Sequence, residues 1–369
     1  MERRDFLAAT TAVLTMPAWR AMTAAAAERH LIYVATPGIR NYLSYGGIGV
    51  LVFDASDGYK LVKRIPTWPE PAAGQEAENV KGVAASAKTG RLYVSTIKRI
   101  GCIDLVTEKM VWDQTYEGGC DRIAISPDGR TIWAPSFEGP HWTVIDAMSG
   151  KAITKVVVNS GAHNTIYSPT GTRVYMAGLR SPLLAVADTR TNTVINNVGP
   201  FGNSIRPFTI NGAETLCYVN VNELLGFEVG DLKTGKKLHR VEVQGFQKGP
   251  VDRHGCPSHG IALTPDEREL WVADGHNKML HVFDNTVMPP KQIASLPVRD
   301  QPGWITFGID GRFAYPSTGE VFDTKTRKVI AAFTDEVGRS VGSEKLVEIV
   351  TDGGKPVRAG DQFGIGGKK

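Results

Sequence analysis

The chain is poor in cysteine. Cys102, Cys120, Cys217 and Cys256 are the four in 369 residues, and no two of them are spaced C-x-x-C. That spacing argues against a dithiol redox motif, a zinc ribbon and a covalent haem attachment. There is no surplus of one charge either. The net value is +4, with no basic run long enough to form a patch, so neither a nucleic-acid nor a membrane surface is expected. No apolar stretch reaches the ~20 residues that a spanning helix needs. Also missing are a Gly-rich phosphate loop, a Ser-His-Asp set at motif spacing and a zinc-protease signature.

What the chain does have is repetition. Asp121 to Val158 reads DRIAISPDGRTIWAPSFEGPHWTVIDAMSGKAITKVVV. Four short β-rich runs lie in it, separated by a Pro-Asp-Gly turn and an Asp-x-x-Ser-Gly turn, which predicts a four-stranded antiparallel meander. Seven such units follow one another. A turn aspartate recurs in each, at Asp54, Asp104, Asp146, Asp188, Asp231, Asp284 and Asp323. The spacing is about 42 residues in the regular part, close to that of a four-stranded propeller blade. Asp at the start of a turn bonds its own backbone, so these residues are read as structural. The first unit lacks its inner strand, and a spare strand, Lys345 to Val350, follows the seventh. The expectation is an all-β, seven-bladed β-propeller of four-stranded antiparallel blades. The strand at 345–350 would close the ring by completing blade 1.

The N-terminus is a separate element. Arg3 and Arg4 precede a mildly apolar run and then the small residues Thr23 to Ala27. This order is that of a signal peptide, and it resembles a twin-arginine export signal, with Glu2 where Ser or Thr is usual. The expected division is a signal over 1–27 and one propeller domain over 28–369. The mature protein would be periplasmic or extracellular, without stable membrane insertion and monomeric. Cys217 lies mid-strand and is read as core. Cys102 and Cys120 could approach each other near one end of a blade, although pairing cannot be read from the sequence.

Three insertions, Pro37–Gly49, Pro66–Val80 and Gln244–Ser258, fall in loops that share one face of such a ring. Loops lengthened on one face build binding sites on a rigid scaffold. Aligning the inner strands without gaps gives one column at the channel mouth: Gly82, Asp121, His163, Arg206, His259, Gly303 and Lys345. Ionisable groups from separate blades converge there, and such concave places bind ligands. Lys81, His254, Trp304 and Glu344 lie beside the column and join the candidate ligand-binding set. Arg supplies a planar donor fork for carboxylate or phosphate, so a small anion is the expected ligand. A metal is not expected, because a guanidinium between two imidazoles repels a divalent cation and no carboxylate triad accompanies them. No cofactor can be named. His141, Arg180, Asp274 and His276 belong to neighbouring loops on the same face and are ordinary loop residues at least as readily as ligands.

The segments LIYVAT and RLYVST, with their SPDG-type turns, resemble the YVTN-type seven-bladed β-propellers of bacteria, a lactonase-like, WD40-like group. The resemblance covers nearly the whole of 28–369. It implies the fold, and it leaves function open among binding proteins, lactonases, isomerases and dehydrogenase subunits. Three expectations follow. The first is an exported propeller that binds a small anion or a protein partner at the mouth. The second is a lactonase or lactonising enzyme, with His163 or His259 as acid or base and Arg206 as the anion-stabilising group. The third is a periplasmic propeller associated with a redox enzyme.

Overall fold

The computed structural model describes residues 28–367, so the expected signal segment lies outside the described residues. Seven sheets make up the ring. Six are four-stranded meanders, and their inner strands are Val80–Ser86, Ala124–Ile125, Ala162–Tyr167, Ile205–Ile210, Ser258–Leu263 and Ile305–Phe307. They form blades 2 to 7 in that order.

Blade 1 is assembled from both ends of the chain. Leu346–Asp352 pairs antiparallel with Arg29–Thr36, in a register that runs from Arg29 opposite Thr351 to Val34 opposite Leu346. The expected closure is therefore present. A further strand, Lys355–Ala359, pairs on the inner side of Leu346–Asp352, so this sheet has five strands.

The core lies between blades and not within any one of them. Tyr93 and Ala84 of blade 2, for example, pack with Ile123, Ile132 and Ala134 of blade 3 in one buried cluster. Apolar residues cover both faces of each sheet because each blade is sandwiched by two neighbours, and outer strands such as Ala152–Val157 are mostly exposed. All seven turn aspartates accept backbone N–H groups two or three residues on, as Asp104 does from Val106 at 3.0 Å and Thr107 at 2.7 Å. Their role is to fix the reversal. All four cysteines are buried free thiols; Cys102 and Cys120 share the cluster between blades 2 and 3 without a disulfide.

The segment after Ala359 crosses the channel on the side away from the insertions. Gln362 accepts from Val83 N at 3.2 Å and donates to Ile123 O at 3.1 Å. Gly364 O accepts from Thr209 Oγ1 at 2.7 Å and Leu263 N at 2.9 Å, and Gly366 N donates to Ile210 O at 3.0 Å. Phe363 and Ile365 are buried with Trp304 and the blade 4 and 5 core. The tail is thus an internal plug, tied to the inner strands of blades 2, 3, 5, 6 and 7.

Ending the chain before Lys345 removes the inner strand of blade 1 and leaves two open edges; cooperative unfolding should be lost. Ending it at Gly360 keeps the ring but exposes the channel wall. Burial of one Phe and one Ile is worth about 1.5–3 kcal/mol each, so a loss of roughly 3 kcal/mol or more is expected in urea unfolding, with cooperativity retained. An unchanged midpoint would mean that the plug does not stabilise the ring.

Candidate functional site

The mouth residues are set by breaks in the β-ladder. In four blades the inner strand gains one residue against its neighbour at the mouth. The register shifts fall between Val80 and Gly82, Ala162 and Asn164, Ile205 and Phe208, and Ser258 and Ile261. The stretches so displaced contain Lys81, His163, Arg206 and His259. A bulge bends the strand and re-aims the side chain it frees, and here it delivers four ionisable groups to one ring. In blade 2 the displaced residue is Lys81, not its neighbour in the gapless column. A Cβ on Gly82 would lie 2.8 Å from Ser95 Oγ and 3.0 Å from the backbone of Arg122, so this position faces the next blade.

Glu344 is the hub of one sector. Its Oε2 receives Lys345 Nζ at 2.8 Å and the guanidinium of Arg122, which crosses the channel from blade 3. Its Oε1 lies 3.2 Å from His254 Nε2. Arg122 also stacks over the indole of Trp304, 4.0 Å from the ring centre. Gly303 makes room for this cluster, since a Cβ there would fall 2.0 Å from His254 Nε2 and 2.4 Å from Glu344 Oε1. Burial alone would raise the Glu344 carboxyl, but Lys345, His254 and Arg122 hold it well below the ordinary carboxylate range. Burial pushes Lys345 down to about 7 against the pull of Glu344, and His254 down to about 4.

This sector is covered. The insertion 244–258 brings His254 over Glu344 and stacks its ring on His259, with ring centres 4.2 Å apart and planes 16° from parallel. Arg253 of the same loop pairs with Asp300 at 2.7 Å and lies over the Tyr45 ring, while Arg40 donates to Arg253 O at 2.7 Å. The insertions 37–49 and 244–258 are latched together above blades 6, 7 and 1. The remaining candidates on this face support the loops. His276 Nδ1 donates to Pro250 O at 3.1 Å and Asn277 Nδ2 to Gln247 O at 2.9 Å. Asp274 is fully buried against His281. His141 is buried, and Arg180 donates to Glu138 O.

The other sector, on blades 2 to 5, is less covered. Asp121 is fully buried, with His163 Nδ1 at 2.6 Å from one oxygen and Lys81 Nζ at 3.5 Å from the other. Burial works to raise Asp121, and His163 and Lys81 outweigh it, so the carboxylate stays ionised. Burial lowers His163 more than Asp121 raises it, which keeps the imidazole neutral. Arg206 is half-buried, and its Nε donates to Asn222 Oδ1 at 2.6 Å. Its two terminal amino groups meet no carboxylate among the described residues.

His254, His259 and Glu344 form a group whose ligating atoms lie within 4.8 Å of one another. The geometry suits a metal poorly. An ion must lie in the plane of each imidazole that binds it, and stacked rings share no such point. Arg122 and Lys345 on the same carboxylate add repulsion.

The sequence reading missed Arg122, Asn164, Asn222 and Gln362. Arg122 follows Asp121 directly, yet alternation places it off the column; nothing local marks it as the residue that crosses the channel.

No family model matches the chain, and no curated protein matches it by sequence. Among solved structures it is similar to a chain of Kuenenia stuttgartiensis hydrazine synthase, with a TM-score of 0.60 and 16% identity over 77% of this chain and 89% of that one. Likeness at this level carries the propeller fold and no activity.

Lys345 gives a direct check on the covered sector. By NMR of carbon-labelled lysine, one side chain should titrate near pH 7, and the signal should vanish in Lys345→Met. The folded pKa lies below the unfolded value, so the unfolded state holds the extra proton between about 7 and 10.5. Stability should therefore rise with pH across that window relative to Lys345→Met, and be flat below it. Titration of every lysine near 10 would contradict this account.

Proposed function

We propose that the protein binds a small anionic molecule at the less covered sector of the channel mouth, over blades 2 to 5. The observation that carries this reading is Arg206. It is anchored through Nε to Asn222, and its terminal fork has no acidic partner among the described residues. Glu344, by contrast, is already shared by two cations and an imidazole. Around the mouth, Lys81, Arg122 and Arg206, joined by Lys345 when it is protonated, stand against Asp121 and Glu344, a balance that favours a negative guest.

A second reading, lactone hydrolysis, draws on the Asp121–His163 pair. An imidazole oriented by a buried carboxylate through Nδ1, with Nε2 unpartnered, is the form a general base takes. In that reading the base is His163. His259 is oriented in the same way through Nδ1, by Gly303 O at 2.9 Å, but its partner is a neutral carbonyl and its ring lies beneath His254, so His163 is the better-placed base.

Calorimetry with a panel of carboxylates, together with hydrolysis of the matching lactones, tests both readings. Arg206→Ala should weaken anion binding by roughly 2 kcal/mol, the worth of a charge-assisted pair, with thermal unfolding unchanged. Wild-type affinity in that variant would move the site elsewhere. If lactones are turned over, His163→Gln should cost about 10²–10⁴ in rate; no turnover by the wild type would leave binding as the function.

A further inference from the structure

The polar atoms left unpartnered on the Asp121–His163 pair have a chemical bias. Asp121 is ionised and burial keeps the His163 imidazole neutral, so its one ring proton lies on Nδ1, 2.6 Å from the carboxylate, and Nε2 presents a lone pair. Nε2 has no hydrogen-bond partner although His163 is only 5% exposed. Asp121 Oδ1 likewise receives no hydrogen bond, Lys81 standing off at 3.5 Å. Both oxygen and nitrogen of the Asn164 amide, on the residue after His163 and bridged to Arg122, are unpartnered and fully buried. Nε2 and Oδ1 are both acceptors and call for a donor, while the Asn164 amide offers one group of each kind. Leaving such groups unmet costs about 1–3 kcal/mol each.

A carboxylate oxygen cannot supply that donor, nor can a fully ionised phosphate. An ammonium could, but it would enter beside Lys81 and Arg206, where like charge repels it. A hydroxyl has the donor without the charge.

We infer, on the footing of the anion reading above, that the ligand is a hydroxy acid: its acid group meets Arg206, and a hydroxyl on a nearby carbon donates to His163 Nε2 and Asp121 Oδ1. The three residues come from consecutive blades, 5, 4 and 3, and the Arg206 fork lies against Gly255 of the insertion 244–258, so the ligand must reach from that loop to the Asp121–His163 pair.

Propanoate, lactate and alanine differ only in carrying hydrogen, hydroxyl or ammonium on one carbon, and gluconate against hexanoate extends the comparison to a longer chain. By calorimetry at neutral pH, lactate should bind roughly tenfold tighter than propanoate, or gluconate than hexanoate, the size of one or two buried hydrogen bonds. Alanine should bind no better than propanoate. In His163→Leu the preference for the hydroxylated acid should vanish while Arg206-dependent binding of the plain acid persists. In the wild type, the His163 Nε2 nitrogen resonance should shift on adding the hydroxy acid and hold still with its deoxy partner; this measurement needs no variant to fold.

Equal affinity within both pairs would overturn the inference and leave water as the partner of these atoms, with the anion reading intact. Preference for alanine, or a preference that survives in a folded His163→Leu, would overturn it too. Failure of all five acids to bind would remove the anion reading and this inference together.

Discussion

The antiparallel pairing of Arg29–Thr36 with Leu346–Asp352 is the constraint on which the rest depends. A propeller keeps only the short outer edge of each blade once its ring is shut, and gains two long edges at the seam if it is not. Here closure also builds the mouth. Ala35 N donates to Lys345 O at 2.9 Å and Ser343 Oγ to Ala35 O at 2.7 Å. These bonds fix the residues entering the last inner strand, and Glu344 and Lys345 are among them. Arg122 waits for Glu344 from a position 222 residues earlier in the chain. Folding the ring and assembling the charged cluster are one event.

The two sectors of the mouth differ in what their charges are for. Around Glu344 every charge is answered within the protein. Such a buried network contributes little net stability, yet removing one member leaves an uncompensated charge and costs about 3–5 kcal/mol. Its geometry suggests what it does: it holds His254, and with it the insertion 244–258, down on the channel. Arg206 stands outside this bookkeeping. Its anchor is a neutral amide, and a guanidinium held in place with its fork unfilled is prepared for a ligand at small entropic cost.

Legibility in the sequence followed the range of the interactions. The turn aspartates could be read because an Asp side chain and the backbone it accepts from are two or three residues apart. Ring closure could be read because an inner strand was missing at one end and spare at the other. The mouth column was readable up to the bulges. A gapless alignment keeps alternation, so it selected Gly82 where the ladder displaces Lys81, and it passed over Arg122. The plug carried no signal at all. QFGIGG has neither period nor pattern, and its hydrogen-bond partners come from five inner strands spread over more than 200 residues.

Trp304 joins the two ends of the channel. Below, its Nε1 donates to Gln362 O of the plug; above, its ring carries the Arg122 guanidinium that reaches Glu344. The indole therefore needs the tail to satisfy its one donor, and Arg122 needs the indole to hold its plane across the channel. With the tail crossing the channel beneath this layer and two insertions latched above blades 6, 7 and 1, the less covered approach to the Asp121–His163 pair lies over blades 2 to 5. That is where Lys81 and Arg206 stand half-buried. Under the proposed reading, such a positively lined approach would select by charge at the rim and by hydrogen bonding at the floor, with the two filters carried by different residues.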